Sequence, residues 1–136
     1  MLLHLAYASG LVAATVLIHA ALTLLVVKKV PAPGSHTPFG SALVLSAFAL
    51  TMLFAMILEA MLWAFLYLGM DLLPNFEEAF YFSLVTFTTL GYGDVTLESA
   101  FRSLAAVEGV NGVLICGWST ALLVGVATQI LMNRDR

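Results

Sequence analysis

Thr88-Thr89-Leu90-Gly91-Tyr92-Gly93-Asp94 reads TTLGYGD and stands in one of the most apolar contexts a chain can offer. Two glycines alternate with bulky residues, two threonines precede them and an acid follows. An extended chain sends successive carbonyls to opposite sides. Aiming them to one side requires alternate residues in the left-handed conformation, which glycine adopts without steric cost. Gly91 and Gly93 occupy such alternate positions. The string is suited to present a row of carbonyls from Thr89, Leu90, Gly91 and Tyr92, with the Thr89 hydroxyl extending the row inward.

The surrounding composition says where that row would stand. Of 136 residues, 62% are hydrophobic and only 10% charged, against about 25% charged in soluble domains. So few charges cannot cover a compact soluble fold, and a bilayer removes the need. The net charge of -3 argues against a nucleic-acid partner, which would want a basic face. The single cysteine, Cys116, excludes an intrachain disulfide and any CxxC-type metal or redox site.

Three apolar stretches exceed the roughly 20 residues needed to span a bilayer as helix: residues 2–27, 39–68 and 100–132. The first is read as a transmembrane helix and not a signal peptide. No basic residue precedes it, it is too long for a signal's apolar region, and Lys28-Lys29 follow it. Residues 76–88 are apolar but too short to span, which suits a re-entrant helix that enters and turns back. Its start is marked by Asn75, a good N-cap, with Glu78 three residues on. Glu77 and Glu78 also suit the positive end of the helix dipole, or are simply solvated.

The expected organisation is therefore an extra N-terminal transmembrane helix over 1–27 and a cytoplasmic linker over 28–38, in which three prolines and a glycine break any helix. A pore-like domain over 39–132 follows, with outer helix 39–68, short helix 76–88, carbonyl segment 89–94 and inner helix 100–132. A tail over 133–136 ends it. Lys28, Lys29, Arg134 and Arg136 fall on one side of three spans and Arg102 on the other, so the linker and C-terminus are expected in the cytoplasm and the N-terminus outside.

Bare carbonyls at membrane depth are costly unless something replaces water, and a dehydrated cation does. One chain supplies one wall of such a site, and cyclic symmetry of identical chains supplies the rest. The short helix would point its C-terminus, with partial negative charge, at the same place.

Thr88 to Asp94 resembles the signature filter of the tetrameric potassium channels, and residues 76–87, FEEAFYFSLVTF, resemble their pore helix. The similarity extends over about residues 39–131 and is closest to small prokaryotic channels of the two-helix pore type. It implies an all-α membrane protein of three transmembrane helices, a re-entrant pore helix and an extended selectivity filter, assembled as a homotetramer around a central pore. Potassium ions would bind at Thr89, Leu90, Gly91 and Tyr92, with Gly93 completing the filter and no other cofactor. Tyr92 is the residue that non-selective relatives change. A bacterial inner membrane is implied by the same resemblance. Two positions depart from the family. Leu90 stands where valine is common, its side chain expected to face the packing behind the filter. Tyr81-Phe82 stand where many members have a tryptophan pair. Tyr81 is expected to offer its hydroxyl toward Asp94 at the outer mouth, or merely to pack, and Thr88 supports the filter's start. Asp71, Glu77, Glu78 and Glu98 add negative charge on that side.

Gly109, Gly112, Gly117 and Gly125 fall in the inner stretch, where glycine more often permits close packing than bending. Gly112 lies close to the family's hinge glycine, so a hinge role stands beside packing. Gly112, Cys116 and Thr120 share one face at four-residue spacing, a face expected to look into the inner cavity. For Cys116 the alternative is a small core residue. Glu59, Glu108, Asn111 and Trp118 lie inside spans and read as structural polar groups: Glu59, near Trp63, as interfacial, Glu108 as a brace to the short helix, and Asn111 and Trp118 as donors between helices. His19 reads as a partly buried neutral histidine, with proton sensing as its alternative. His4 and His36 carry no motif.

No row of arginines at every third position exists, so no voltage sensor of the usual type is expected. No cytoplasmic ligand-binding domain is expected in this polypeptide, which leaves the gating partner or ligand open. No nucleophile–base pair or phosphate loop suggests an enzyme. The competing readings are a weakly selective cation channel, a non-conducting accessory membrane subunit, and a potassium transporter subunit. The last carries four degenerate pore loops on one long chain, unlike this sequence.

Overall fold

The computed structural model describes residues 2–28 and 37–132, which form four helices. They are α1 (Leu2–Val27), α2 (Pro38–Gly69), α3 (Phe76–Phe87) and α4 (Arg102–Met132). Lys29, His36, Arg134 and Arg136 lie outside the described residues, as do most of the expected linker and the whole tail.

The helix starts follow local chemistry. Thr37 caps α2, its hydroxyl accepting from Gly40 N at 3.2 Å, and Pro38 takes the first helical position, where a missing N–H costs nothing. Asn75 caps α3, its side-chain oxygen accepting from Glu78 N at 2.9 Å, while Glu77 and Glu78 stand in the first turn. Past the end of α2 the chain turns through Asp71, at φ 53°, a left-handed value in which aspartate is enriched.

Three helices, α1, α2 and α4, are long and apolar enough to cross a membrane. The 12 residues of α3 reach about 18 Å, short of a bilayer core of about 30 Å. α1 and α3 each pack against both α2 and α4. The larger core joins Trp63 and Tyr67 of α2, Phe82 and Phe87 of α3, and Leu104 and Ile115 of α4. A smaller cluster of Phe48, Met52 and Val126 closes the other end of the α2–α4 pair. Much apolar surface stays uncovered: Leu17, Phe39, Leu50, Val110 and Val124 are all exposed. For a chain with three spans, that surface faces lipid or other chains.

Candidate functional site

The end of α3 fixes the segment that follows it. Thr88 closes the helix, its N–H donating to Leu84 O at 3.1 Å and its hydroxyl to the same oxygen at 2.6 Å. Thr89 N then donates to Thr86 O at 2.9 Å. Leu90 N and Gly91 N both return to Val85 O, at 3.0 and 3.2 Å. In a trans peptide the carbonyl points opposite to the N–H of the next residue, and no described peptide is cis. Three successive amides thus face the last turn of α3, and the carbonyls of Thr88, Thr89 and Leu90 point away from it.

The backbone angles carry the same message. Thr89, Gly91 and Gly93 have φ of 60°, 56° and 78°. Every second residue is left-handed. For the two glycines this costs little. For Thr89 it does not, because a β-branched residue at positive φ is a genuine outlier, with a cost on the order of 1–3 kcal/mol. The sequence gives no sign of Thr89's conformation, since threonine is not a residue chosen for this region. Its hydrogen bond to Thr86 and those of Leu90 and Gly91 to Val85 hold it there.

Residues 88–94 are all exposed on the single chain. Leu90, expected to pack behind the segment, is 55% exposed, and Tyr92 is 66% exposed. A cavity of about 300 Å³ opens beside them, lined in part by Phe82, Val85, Gly91, Gly93, Leu97 and Arg102. Tyr81 reaches Asp94, its hydroxyl donating to Oδ2 at 2.6 Å. That bond holds the Asp94 carboxyl below the usual carboxylate range and raises the Tyr81 phenol. Asp94 is thereby tied back to α3 across 13 residues of chain.

Behind the segment, α4 is pressed against the end of α3. A Cβ on Gly112 would lie 1.8 Å from Phe87 O and 2.6 Å from Phe87 C, and one on Gly109 would meet Thr86 O at 3.7 Å. Gly112 is therefore a contact glycine, buried where the α4 backbone meets the turn at Phe87. Cys116 is half-buried and Thr120 is exposed, its hydroxyl bonded to Cys116 O at 2.8 Å. The three residues share a helix face without sharing an environment. Glu108 braces α3, as its place in the inner stretch suggested, and ties it to α2 as well. Its carboxylate meets Tyr67 of α2 and Ser83 of α3, all three side chains being buried. Ser83 also reaches Ala60 O at 2.6 Å.

Comparison with known proteins adds two findings. Residues 42–129, more than half the chain, match the family model described as "Ion channel". A rice protein (Oryza sativa subsp. japonica), "Potassium channel KAT3", is 36% identical over 70 residues. That match takes in 45% of this chain and 13% of the rice protein's length. No solved structure gives a significant match.

Proposed function

This chain belongs to the ion-channel family whose pattern runs through residues 42–129, and from that premise we propose that it conducts potassium ions passively through a filter of backbone carbonyls. The observation that carries the proposal is the alternation of left-handed residues at Thr89, Gly91 and Gly93, with the amides of Leu90 and Gly91 turned to Val85. That arrangement leaves a file of carbonyls free to replace a cation's hydration shell. The partial likeness to a potassium channel and the presence of Tyr92 support potassium as the ion.

In this reading Thr89, Leu90, Gly91 and Tyr92 coordinate the ion and Gly93 completes the filter. α3 is a re-entrant pore helix whose negative end faces the ion path. Four copies surround the axis. The exposed Leu90 and Tyr92 and the neighbouring cavity are the surfaces that adjacent copies would cover. α2 is the outer helix and α4 the inner helix, with Cys116 and Thr120 toward the inner cavity and Gly112 as a hinge position beside its contact with Phe87. Asp94, braced by Tyr81, stands at the outer mouth. The protein is an integral membrane protein, placed by this reading in a bacterial inner membrane with its N-terminus outside. A weakly selective cation channel is the second reading, favoured by Leu90 at the valine position and by its exposure.

Flux from the purified protein in liposomes tests this, with potassium or sodium as the sole permeant gradient and Gly91→Asp as control. Potassium flux that vanishes in the control supports the proposal. Equal potassium and sodium flux moves the reading to the weakly selective channel. No flux from a verified tetramer moves it to a non-conducting subunit.

A further inference from the structure

α1 lies wholly outside the region shared with the family, yet it is not an inert apolar rod. Thr15, His19 and Thr23 recur at four-residue spacing and all three are buried. They turn one polar stripe inward, toward the two helices that α1 touches, α2 and α4. Asn111 of α4 donates to the Thr15 hydroxyl at 2.8 Å. His19 is held from both sides. Its Nδ1 lies 3.0 Å from Glu59 Oε1 of α2, and its Nε2 lies 3.2 Å from Ser119 Oγ of α4. His19 and Glu59 are fully buried and Ser119 nearly so. Trp118 packs its ring against the imidazole with centroids 5.4 Å apart.

We infer that His19, Glu59 and Ser119 form a proton-binding site through which α1 controls the bend of α4, an inference that rests on reading α4 as the pore-lining helix.

The Ser119 hydroxyl has one proton. Its oxygen lies 2.9 Å from Ile115 O and 3.2 Å from His19 Nε2, so it donates to one and not to both. When it donates to Ile115, the bond to His19 needs a proton on Nε2. The contact with Glu59 then needs a second proton, carried on Nδ1 as an imidazolium facing a carboxylate or on Glu59 as a carboxylic acid. Either way histidine and glutamate together hold two protons and the cluster is neutral. Loss of one proton to solvent leaves the single imidazole proton on Nδ1, donated to the Glu59 carboxylate. Nε2 is now bare, and the Ser119 hydroxyl turns from Ile115 to satisfy it. The cluster then carries one buried negative charge, which is costly in an apolar interior, and Glu59 Oε2 has no partner to offset it.

The change is transmitted because Ser119 bonds its own helix. A serine bonded to the carbonyl four residues back bends the helix, and α4 keeps or loses that bond with the proton. The affected turn, residues 115–119, contains Cys116. Among the described residues, no other charged group stands close along these helices. On α2, Tyr67 stands eight residues from Glu59, about 12 Å along the helix, and on α4 Glu108 stands eleven residues from Ser119, about 16 Å. On α1, Lys28 is nine residues from His19, about 14 Å, and Tyr7 and His4 lie further still in the other direction. The thiol of Cys116, on α4, is near enough to Glu59 to interact with it.

The test uses the full chain in lipid vesicles with 15N-labelled histidine, observed by solid-state NMR from about pH 5 to 9. His19 signals are identified by their loss in His19→Gln. The expected result is Nε2 protonated at low pH and bare at high pH, with Nδ1 protonated at high pH. Potassium flux measured on the same vesicles should change by about fivefold or more over that range, the low end of typical coupling between sites. That change should vanish in His19→Gln and in Ser119→Ala, while Ser119→Ala keeps the titration of the ring. A single unchanging tautomer overturns the site. Flux whose pH dependence persists in both variants overturns the coupling. A protein that passes no ion at any pH overturns the channel reading, and the nitrogen signals still decide whether the proton site exists.

Discussion

The turn after α3 and the cluster around His19 both hold polar groups in an apolar protein, by opposite means. From Thr88 to Asp94 the backbone does the work: amides are tied to Val85 and Thr86, carbonyls are left free, and the whole segment is exposed on one chain. At His19, Glu59 and Ser119 the side chains do it, closed off by three helices and buried. In the proposed reading the first site is completed by other copies of the chain, whereas the second lies within one chain. A backbone site tolerates little change of residue where φ is positive. A side-chain site tolerates changes that keep its count of donors and acceptors.

The harshest way to break this contrast is at Gly91. Gly91→Ala places a side chain at φ +56°, where L-residues are disfavoured by about 1–2 kcal/mol. The account expects flux to be lost while the assembled protein survives, checked by liposome flux beside size-exclusion chromatography. Normal flux would show that the backbone angles do not carry conduction. Next is the contact that fixes the segment from behind. Gly112→Val drives atoms into Phe87 O, already 1.8 Å from a Cβ, and should cost about 3 kcal/mol or more. Gly117→Ala, with nothing within 4 Å, is its control. Thermal unfolding in detergent should separate them, and equal melting temperatures would sink the contact. Third, Glu108→Gln keeps shape but removes one of the two oxygens that meet Tyr67 and Ser83. A loss of about 2 kcal/mol is expected for the group left unsatisfied, measured the same way. An unchanged stability would mean that Glu108 does not tie the helices.

The smallest effect concerns the mouth. The Tyr81 hydroxyl lowers the Asp94 pKa, so their bond persists above the ordinary carboxylate range near 3.9 and fails as pH falls through the lowered value. Tyr81→Phe should move the acid end of the flux profile to higher pH. An identical profile in the variant would detach Asp94 from conduction.

What could be read from the sequence divides along the same line. The two glycines, the Asn75 cap with Glu78, and the three long apolar stretches are local signals, each set by neighbours a few residues away. The Tyr81–Asp94 bond, 13 residues apart, was within reach only through the resemblance to the channel family, not from the residues themselves. Thr89 was not legible, because its positive φ is imposed by the helix end and opposes its own preference. Glu108 was readable as a brace to the short helix, but its partners Ser83 and Tyr67 were not, and the ties of His19 were not legible either. These contacts join residues 25 to 100 apart in the chain, and an apolar helix does not announce which face it will turn inward. For the same reason the face shared by Gly112, Cys116 and Thr120 was visible, but its split between a buried contact and exposed surface was not.

The central claim is that carbonyls of residues 89–92 hold a dehydrated cation. It is tested most directly by locating thallium, a potassium mimic with strong anomalous scattering, in crystals of the assembled protein. The account predicts anomalous peaks in single file between successive carbonyls of Thr89, Leu90, Gly91 and Tyr92, weakened when potassium is added in competition and absent in Gly91→Ala. Thallium found only beside the exposed acids, with nothing along that carbonyl file, would contradict it.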